Sequence, residues 1–295
     1  MGLKLSRKIR SLRNSFLIFI RKYSPRFYNF LILLGSYSRF YYRLNKKKRI
    51  NFFSKNLDYI NKFEYKKTSQ NNEDGIIEYL LDELKIKNVN FVEIGFDYYE
   101  NNSLNILKKA NKGLFIDGDN QKTFIMKKIL NFFFPNKDYQ VKNTFITRDN
   151  INDIILENFN MSDDIDFMSI DIDGVDYYIF EKLKFRPKII CIEYNFWFGD
   201  NIKCSIPYNE NFKWEIGSPY SGASIAAICS LALIKDYHLV ALESSSVNAF
   251  FVRGDLMNNF NILDPVNSFK FPIRYSKATL QSTKESLLKK ELVYF

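Results

Sequence analysis

Between residues 76 and 193, short apolar runs of strand length alternate with stretches of helical periodicity. That alternation limits what this 295-residue chain can fold into more than any other feature. Residues 76–84 read as a helix, 89–94 as a buried strand, 103–110 as a helix and 114–116 as a short strand. Residues 122–134 read as a helix, 141–147 as extended, 151–159 as a helix and 167–170 as a strand. A helix over 177–183 and a fully apolar strand over 189–193 complete the series. Strands separated by short helices imply βαβ units on a parallel sheet, which bind ligands beyond the carboxyl ends of the strands. Residues 238–242 and 249–253 form two more strands with only 243–248 between them. No helix fits in that gap, so these two should pair as an antiparallel hairpin.

Polar residues gather where the strands end. Strand one closes on Glu93-Ile94-Gly95 and strand two on Asp117-Gly118-Asp119. In nucleotide-binding sheets a glycine at the first turn admits the ligand, and an acid about 20 residues on accepts the ribose hydroxyls. Strand four runs into Ser169-Ile170-Asp171-Ile172-Asp173-Gly174 and strand five into Glu193-Tyr194-Asn195. All four ends should meet on one rim.

A mostly parallel α/β sheet finished by an antiparallel hairpin is the Rossmann-like class I methyltransferase arrangement. A plain dinucleotide-binding domain would keep a helix at that point and a G-x-G-x-x-G turn, and this chain has neither. The segments FVEIG (91–95), GLFIDGD (113–119), SIDIDGVDY (169–177), IEYN (192–195), GAS (222–224) and NAFFVR (248–253) resemble FkbM-type methyltransferases, in that family's order. The resemblance covers residues 75 to 255. Together with the residue patterns outside it, this divides the chain into a basic amphipathic helical extension over 1–65, a methyltransferase domain over 73–255 and a C-terminal extension over 256–295, as expectations.

The resemblance implies S-adenosylmethionine as methyl donor and O-methylation, often of sugars or glycan-linked acceptors. Carried over by position, Glu93 and Gly95 would line the methionine and ribose part of the cofactor. Asp117 would bind the ribose diol, Asp149 or its neighbour Arg148 would sit by the adenine, and Asp171 would face the methionine moiety or the acceptor. One departure matters. Relatives often keep two or three glycines after strand one, whereas this chain has Gly95-Phe96-Asp97-Tyr98-Tyr99-Glu100. Aromatic rings pointing inward would crowd a cofactor, so the alternative is a catalytically inactive module of the same fold that binds a membrane or a protein partner.

The sulfonium donor is already activated, so catalysis needs in-line positioning and removal of the acceptor proton. Asp171, Asp173 and Glu193 are the catalytic candidates, with Asn195 as an orienting amide. Three carboxylates also suit a hard cation such as Mg²⁺. The reading adopted is metal-free, with one of them as base. Residues 196–221 are long and aromatic for a loop, including Phe196, Trp197, Phe198, Tyr208, Phe212, Trp214 and Tyr220. Such a loop after strand five is expected to cover the acceptor.

Charge is divided unevenly. Residues 1–50 hold fourteen Lys and Arg and no Asp or Glu, leaving 29 basic and 33 acidic side chains in the rest. Leu5, Ile9, Leu12, Phe16 and Phe19 form a helical stripe with Lys4, Arg7, Lys8, Arg10 and Arg13 off it, and Lys46-Lys47-Lys48-Arg49 closes the region. A basic amphipathic helix fits an anionic membrane surface, or it packs on the domain with a solvated basic face. No nucleic-acid-binding motif accompanies the charge, so nucleic acid is not the expected partner. Cys191, Cys204 and Cys229 show no paired spacing, which predicts reduced, buried thiols. The expected location is cytoplasmic, with the basic segment offering attachment to the inner face of the membrane.

Overall fold

The computed structural model describes residues 19–48, 59–161, 163–272 and 274–295. Most of the basic stripe, from Leu5 to Phe16, and also Arg49, lies outside the described residues.

Helix α1 (Pro25–Asn45) leads to α2 (Glu73–Glu83), β1 (Val89–Ile94), β2 (Ala110–Asp117), α3 (Asn120–Phe133), β3 (Asp138–Asn143) and α4 (Ile151–Leu156). Then come β4 (Phe167–Ile170), α5 (Asp176–Lys182), β5 (Ile189–Glu193), a short β6 (Cys204–Ser205) and α6 (Ile225–Ile234). The chain ends with β7 (Tyr237–Leu242), β8 (Asn248–Arg253), α7 (Pro265–Ser268), α8 (Lys277–Leu287) and β9 (Val293–Tyr294).

Seven strands form one sheet in the order β3-β2-β1-β4-β5-β8-β7. The first five are parallel. Strand β8 slots antiparallel between β5 and β7, pairing Ile189 with Val252 and Glu193 with Asn248. This is the class I methyltransferase sheet, and its strand order reverses between β1 and β4. Ligand crevices form at such a reversal because neighbouring loops leave in opposite directions.

Alternation along β1 shows how the sheet is covered. Phe91 enters one apolar layer with Ile76 and Leu80 of α2 and Ile125 and Ile129 of α3. Val92 and Ile94 enter the other, with Ile151 of α4, Ile179 of α5 and Ile228 of α6. Period-2 patterning therefore buries both faces. The flanking segments join the same layers: Phe40 of α1 packs on Phe133 of α3, and α8, with Leu280 in the other layer, packs against the turn at residues 196–198.

Two expectations need correction. The crossover over 103–110 is a single 3-10 turn, Leu104–Ile106, followed directly by β2. Buried Leu104 and Leu107 imitate helical spacing, but Asn101, Asn102 and Ser103 are held in local and β1 hydrogen bonds that a helix would break. The third strand lies over 138–143 and ends before 144–147. The polar stretch before α2 is also firmly held, since the Asp74 carboxylate accepts the backbone N–H groups of Lys67, Thr68 and Ser69. Among the described residues no helix is long and apolar enough to cross a membrane.

Candidate active site

A cleft of about 790 Å³ opens over the carboxyl ends of β1, β2, β4 and β5. Glu93, Gly95, Asp117, Asp171, Asp173 and Glu193 all line it. Asp149 does not: its side chain is 79% exposed and reaches towards Arg148 at 3.9 Å. Past β3 it is Thr144, Phe145 and Ile146 that reach the cleft, because the chain turns outward before Asp149.

Gly95 lines the cleft and also lets two strand ends approach each other. Its φ is +74°, and a Cβ there would lie 1.7 Å from the Asp171 carbonyl oxygen. The missing side chain lets the β4 turn approach β1, and both turns then leave their strands in register. Glu93 is buried and accepts hydrogen bonds from the Asn102 N–H and the Ser103 hydroxyl. Burial pushes its carboxyl up to about 8. These contacts make Glu93 the anchor of the 101–103 turn beneath the cleft.

Two of the three rings after Gly95 are absorbed by the scaffold. Phe96 is buried with its ring 5.4 Å from Phe115, and Tyr98 packs on the layer shared by α2 and α3. Tyr99 reaches the rim, where Arg39 and Arg43 of α1 sit 5.7 and 5.9 Å from its ring centre. Arg43 and Lys66 pair with Glu100 at 3.2 and 2.8 Å. Helix α1 thus clamps the turn that replaces the missing glycines.

Asp117 accepts the Phe96 N–H at 3.1 Å and the Asp119 N–H at 2.6 Å, with Lys122 at 3.5 Å. Asp119 in turn caps α3 through the N–H groups of Gln121 and Lys122. Beside them the exposed Phe145 ring rests against Gly118.

Asp171, Asp173 and Glu193 bring ligand oxygens within 4.8 Å of one another. Desolvation on the cleft floor raises the Asp171 carboxyl, and the charges of Asp173 and Asp176 raise it further. Glu193 moves the same way, through burial first and the Asp171 charge second. Like charges this close cannot all ionise cheaply, so the group should hold a proton or a cation. Oxygen donors alone would favour Mg²⁺ or Ca²⁺ over softer metals. Asp173 stands most exposed, at φ +58°, a conformation Asp tolerates better than most residues.

Asp176 holds this turn together. Its buried carboxylate accepts the N–H groups of Ile172 at 2.8 Å and Gly174 at 2.9 Å. The signal was present in the sequence, as an acid two residues past a glycine at a strand-to-helix turn. Asn195, expected to orient an acceptor, has its amide fully committed. It donates to the Pro219 and Ser221 carbonyls and accepts the Trp197 N–H, so it positions the 196–221 loop. From that loop Phe196, Trp197, Phe212 and Trp214 line the cleft. Arg274 and Tyr275 line it as well, with Tyr275 4.6 Å from Trp197 between ring centres. No local pattern announces them, since some 80 residues separate them from β5.

Among the described lining residues, eight carboxyl groups (Glu93, Asp97, Glu100, Asp117, Asp171, Asp173, Glu193 and Glu210) outnumber two basic groups, Lys122 and Arg274, even with Glu93 pushed up to about 8 and Glu100 paired with Arg43 and Lys66. Such a cleft favours cations.

No family model matches the sequence, and no curated protein matches it. Solved structures similar to it include magnesium protoporphyrin IX methyltransferase from Synechocystis PCC 6803 with bound SAM. That likeness has 8% identity and a TM-score of 0.39, over 61% of this chain and 77% of that one. The N-terminal domain of EvdMO1 with SAH bound is 7% identical with a TM-score of 0.40, over 63% and 80% of the two chains. A S-adenosylmethionine-dependent methyltransferase from Clostridium acetobutylicum ATCC 824 is 9% identical with a TM-score of 0.38, over 60% and 89%. The fold assignment rests on the strand order described above.

Proposed function

We propose that this protein transfers a methyl group from S-adenosylmethionine to a hydroxyl of a sugar or glycan-linked acceptor. The observation that carries the proposal is one acidic cleft, at the order reversal of a class I methyltransferase sheet, that holds both Asp117 and the Asp171–Asp173–Glu193 group. The donor set fits the cofactor. Asp117 keeps acceptor capacity towards a ribose diol, Phe145 offers an exposed face to a base, and the excess of carboxylates suits a sulfonium. When bound, the cofactor supplies an activated methyl group.

The chain's own residues position the acceptor and take its proton. Asp171 or Glu193, whose carboxyls burial and neighbouring charge push up, is placed to take the proton from the cleft floor. Phe212, Trp197 and Tyr275 present aromatic faces on which a sugar ring can stack. A second reading, Mg²⁺ held by the same three carboxylates, is favoured by their mutual spacing. The absorbed rings of Phe96 and Tyr98 weigh against an inactive module whose cleft is blocked.

Calorimetric titration with S-adenosylhomocysteine tests the proposal, beside Asp117→Asn, which keeps one acceptor for the backbone. Micromolar binding weakened about 10-fold or more in the variant is expected. A well-folded wild type that does not bind would overturn it.

A further inference from the structure

Residues 19–23 are helical, and with α1 they carry an outward row of large apolar side chains. Phe19, Tyr23, Phe27, Phe30, Leu34 and Tyr41 are exposed by 60, 65, 49, 57, 55 and 60%. Within α1, Phe27, Phe30 and Leu34 lie along one helical face at steps of three and four, and Phe19 and Tyr23 belong to the helical turn before the break at Ser24. The packing contacts come mainly from the C-terminal half of α1. Phe40 and Leu44 are buried in the core, and Tyr37 stacks on Phe132 of α3 at 5.2 Å. Tyr41 also stacks on Phe133 at 6.4 Å, whereas Phe27, Phe30 and Leu34 belong to neither apolar layer of the domain. Arg21, Lys22, Arg26 and Arg39 stand exposed beside it.

We infer that this face of α1 lies on an anionic lipid bilayer surface. Charge selects the occupant. Residues 19–48 hold eight Lys and Arg and no Asp or Glu, which makes this helical segment attractive to an anionic surface, while residues 51–295 carry four more acids than bases. That division orients the molecule with α1 towards the lipid. A second copy docked face to face would bring two such basic segments together, which repel. A nucleic acid would satisfy the charge and leave the Phe27, Phe30 and Leu34 side chains without an apolar medium. Phe and Leu side chains on a helix lying in the interfacial plane gain that medium at the headgroup–acyl boundary. The C-terminal part of α1 clamps Tyr99 and Glu100, so the bound surface and the cleft rim share one rigid element.

The inference stands independently of the methyl-transfer proposal. It is tested by co-sedimentation of the full chain with phosphatidylcholine vesicles, with and without about one quarter phosphatidylglycerol. Binding to the anionic vesicles should exceed binding to neutral ones by on the order of 100-fold, and should weaken with salt. The triple substitution Phe27→Gln, Phe30→Gln, Leu34→Gln should lose at least about 10-fold. Arg21→Gln, Lys22→Gln, Arg26→Gln should lose mainly the preference for anionic lipid. Far-UV dichroism and thermal unfolding establish that both variants are folded. Equal binding to both vesicle types, or a triple apolar variant that binds like wild type, overturns the inference. So does a dimer that the apolar variant abolishes, or displacement from vesicles by RNA that both wild type and the apolar variant bind equally.

Discussion

The ring of Phe212 rests on Gly174, so closely that a Cβ at position 174 would lie 2.3 Å from the ring. The loop after β5 is thereby docked on the turn that carries Asp171 and Asp173. Gly174→Ala should push the ring outward and detach the loop. Because Phe212 is only partly buried, the stability cost should stay below ~1 kcal/mol. Acceptor KM should rise about 3- to 10-fold with cofactor affinity unchanged. Steady-state kinetics beside cofactor titration check this, and an unchanged KM would remove the loop from acceptor binding.

Asp176 has two backbone N–H partners in a buried site, and burial raises its carboxyl to about 6. Hydrogen bonds to a charged group contribute about 1.5–3 kcal/mol each, so Asp176→Ala should destabilise by roughly 3–5 kcal/mol. Asp176→Asn, which keeps one acceptor, should lose about half of that. Denaturant unfolding measures both. Wild-type stability in the alanine variant would mean that the turn is held by other contacts.

Acid should stabilise this protein against its own buried carboxyls. The Glu93 carboxyl stands at about 8 when folded against an ordinary 4.5, through burial. Burial raises Glu73 and Glu243 as well. For each, the stabilising contribution is complete below the unfolded value and disappears as pH rises through the folded one. The cofactor-free protein should therefore melt lower at pH ~8 than at pH ~5, and Glu93→Gln should flatten that slope. A slope identical in the variant would show that Glu93 is ionised throughout.

Asp173 is the most exposed of the three clustered carboxylates. Asp173→Ala should cost about 1 kcal/mol of stability, because alanine tolerates φ +58° less well, and reduce turnover by on the order of 100-fold. Turnover after chelation separates the two chemistries. Full activity without divalent cation identifies a carboxylate base, and loss restored by Mg²⁺ identifies a metal held by the trio. Wild-type turnover in Asp173→Ala would exclude Asp173 from the chemistry.

Much of the scaffold was legible because short-range physics writes it. Strand β1 reads as Val-Asn-Phe-Val-Glu-Ile, and its alternation alone specifies two buried faces. The five-residue gap between β7 and β8 leaves room for a hairpin and for nothing longer. The crossover at 103–110 misled because Leu104 and Leu107 have helical spacing while their polar neighbours are recruited by β1.

The sequence by itself determined the alternating elements, the hairpin and the acids placed at the strand ends. All of these follow from periodicity and turn chemistry between near neighbours. Only the tertiary structure decided which acids share a cleft. Asp171 and Glu193 meet because parallel β4 and β5 end in register, while Asp149 is carried away by a turn that no local pattern specifies. It also decided that Phe96 and Tyr98 leave the cleft open and that Arg274 and Tyr275 enter it. Those outcomes depend on which apolar surface is free when distant segments pack, and packing of that kind joins residues with no spacing in common.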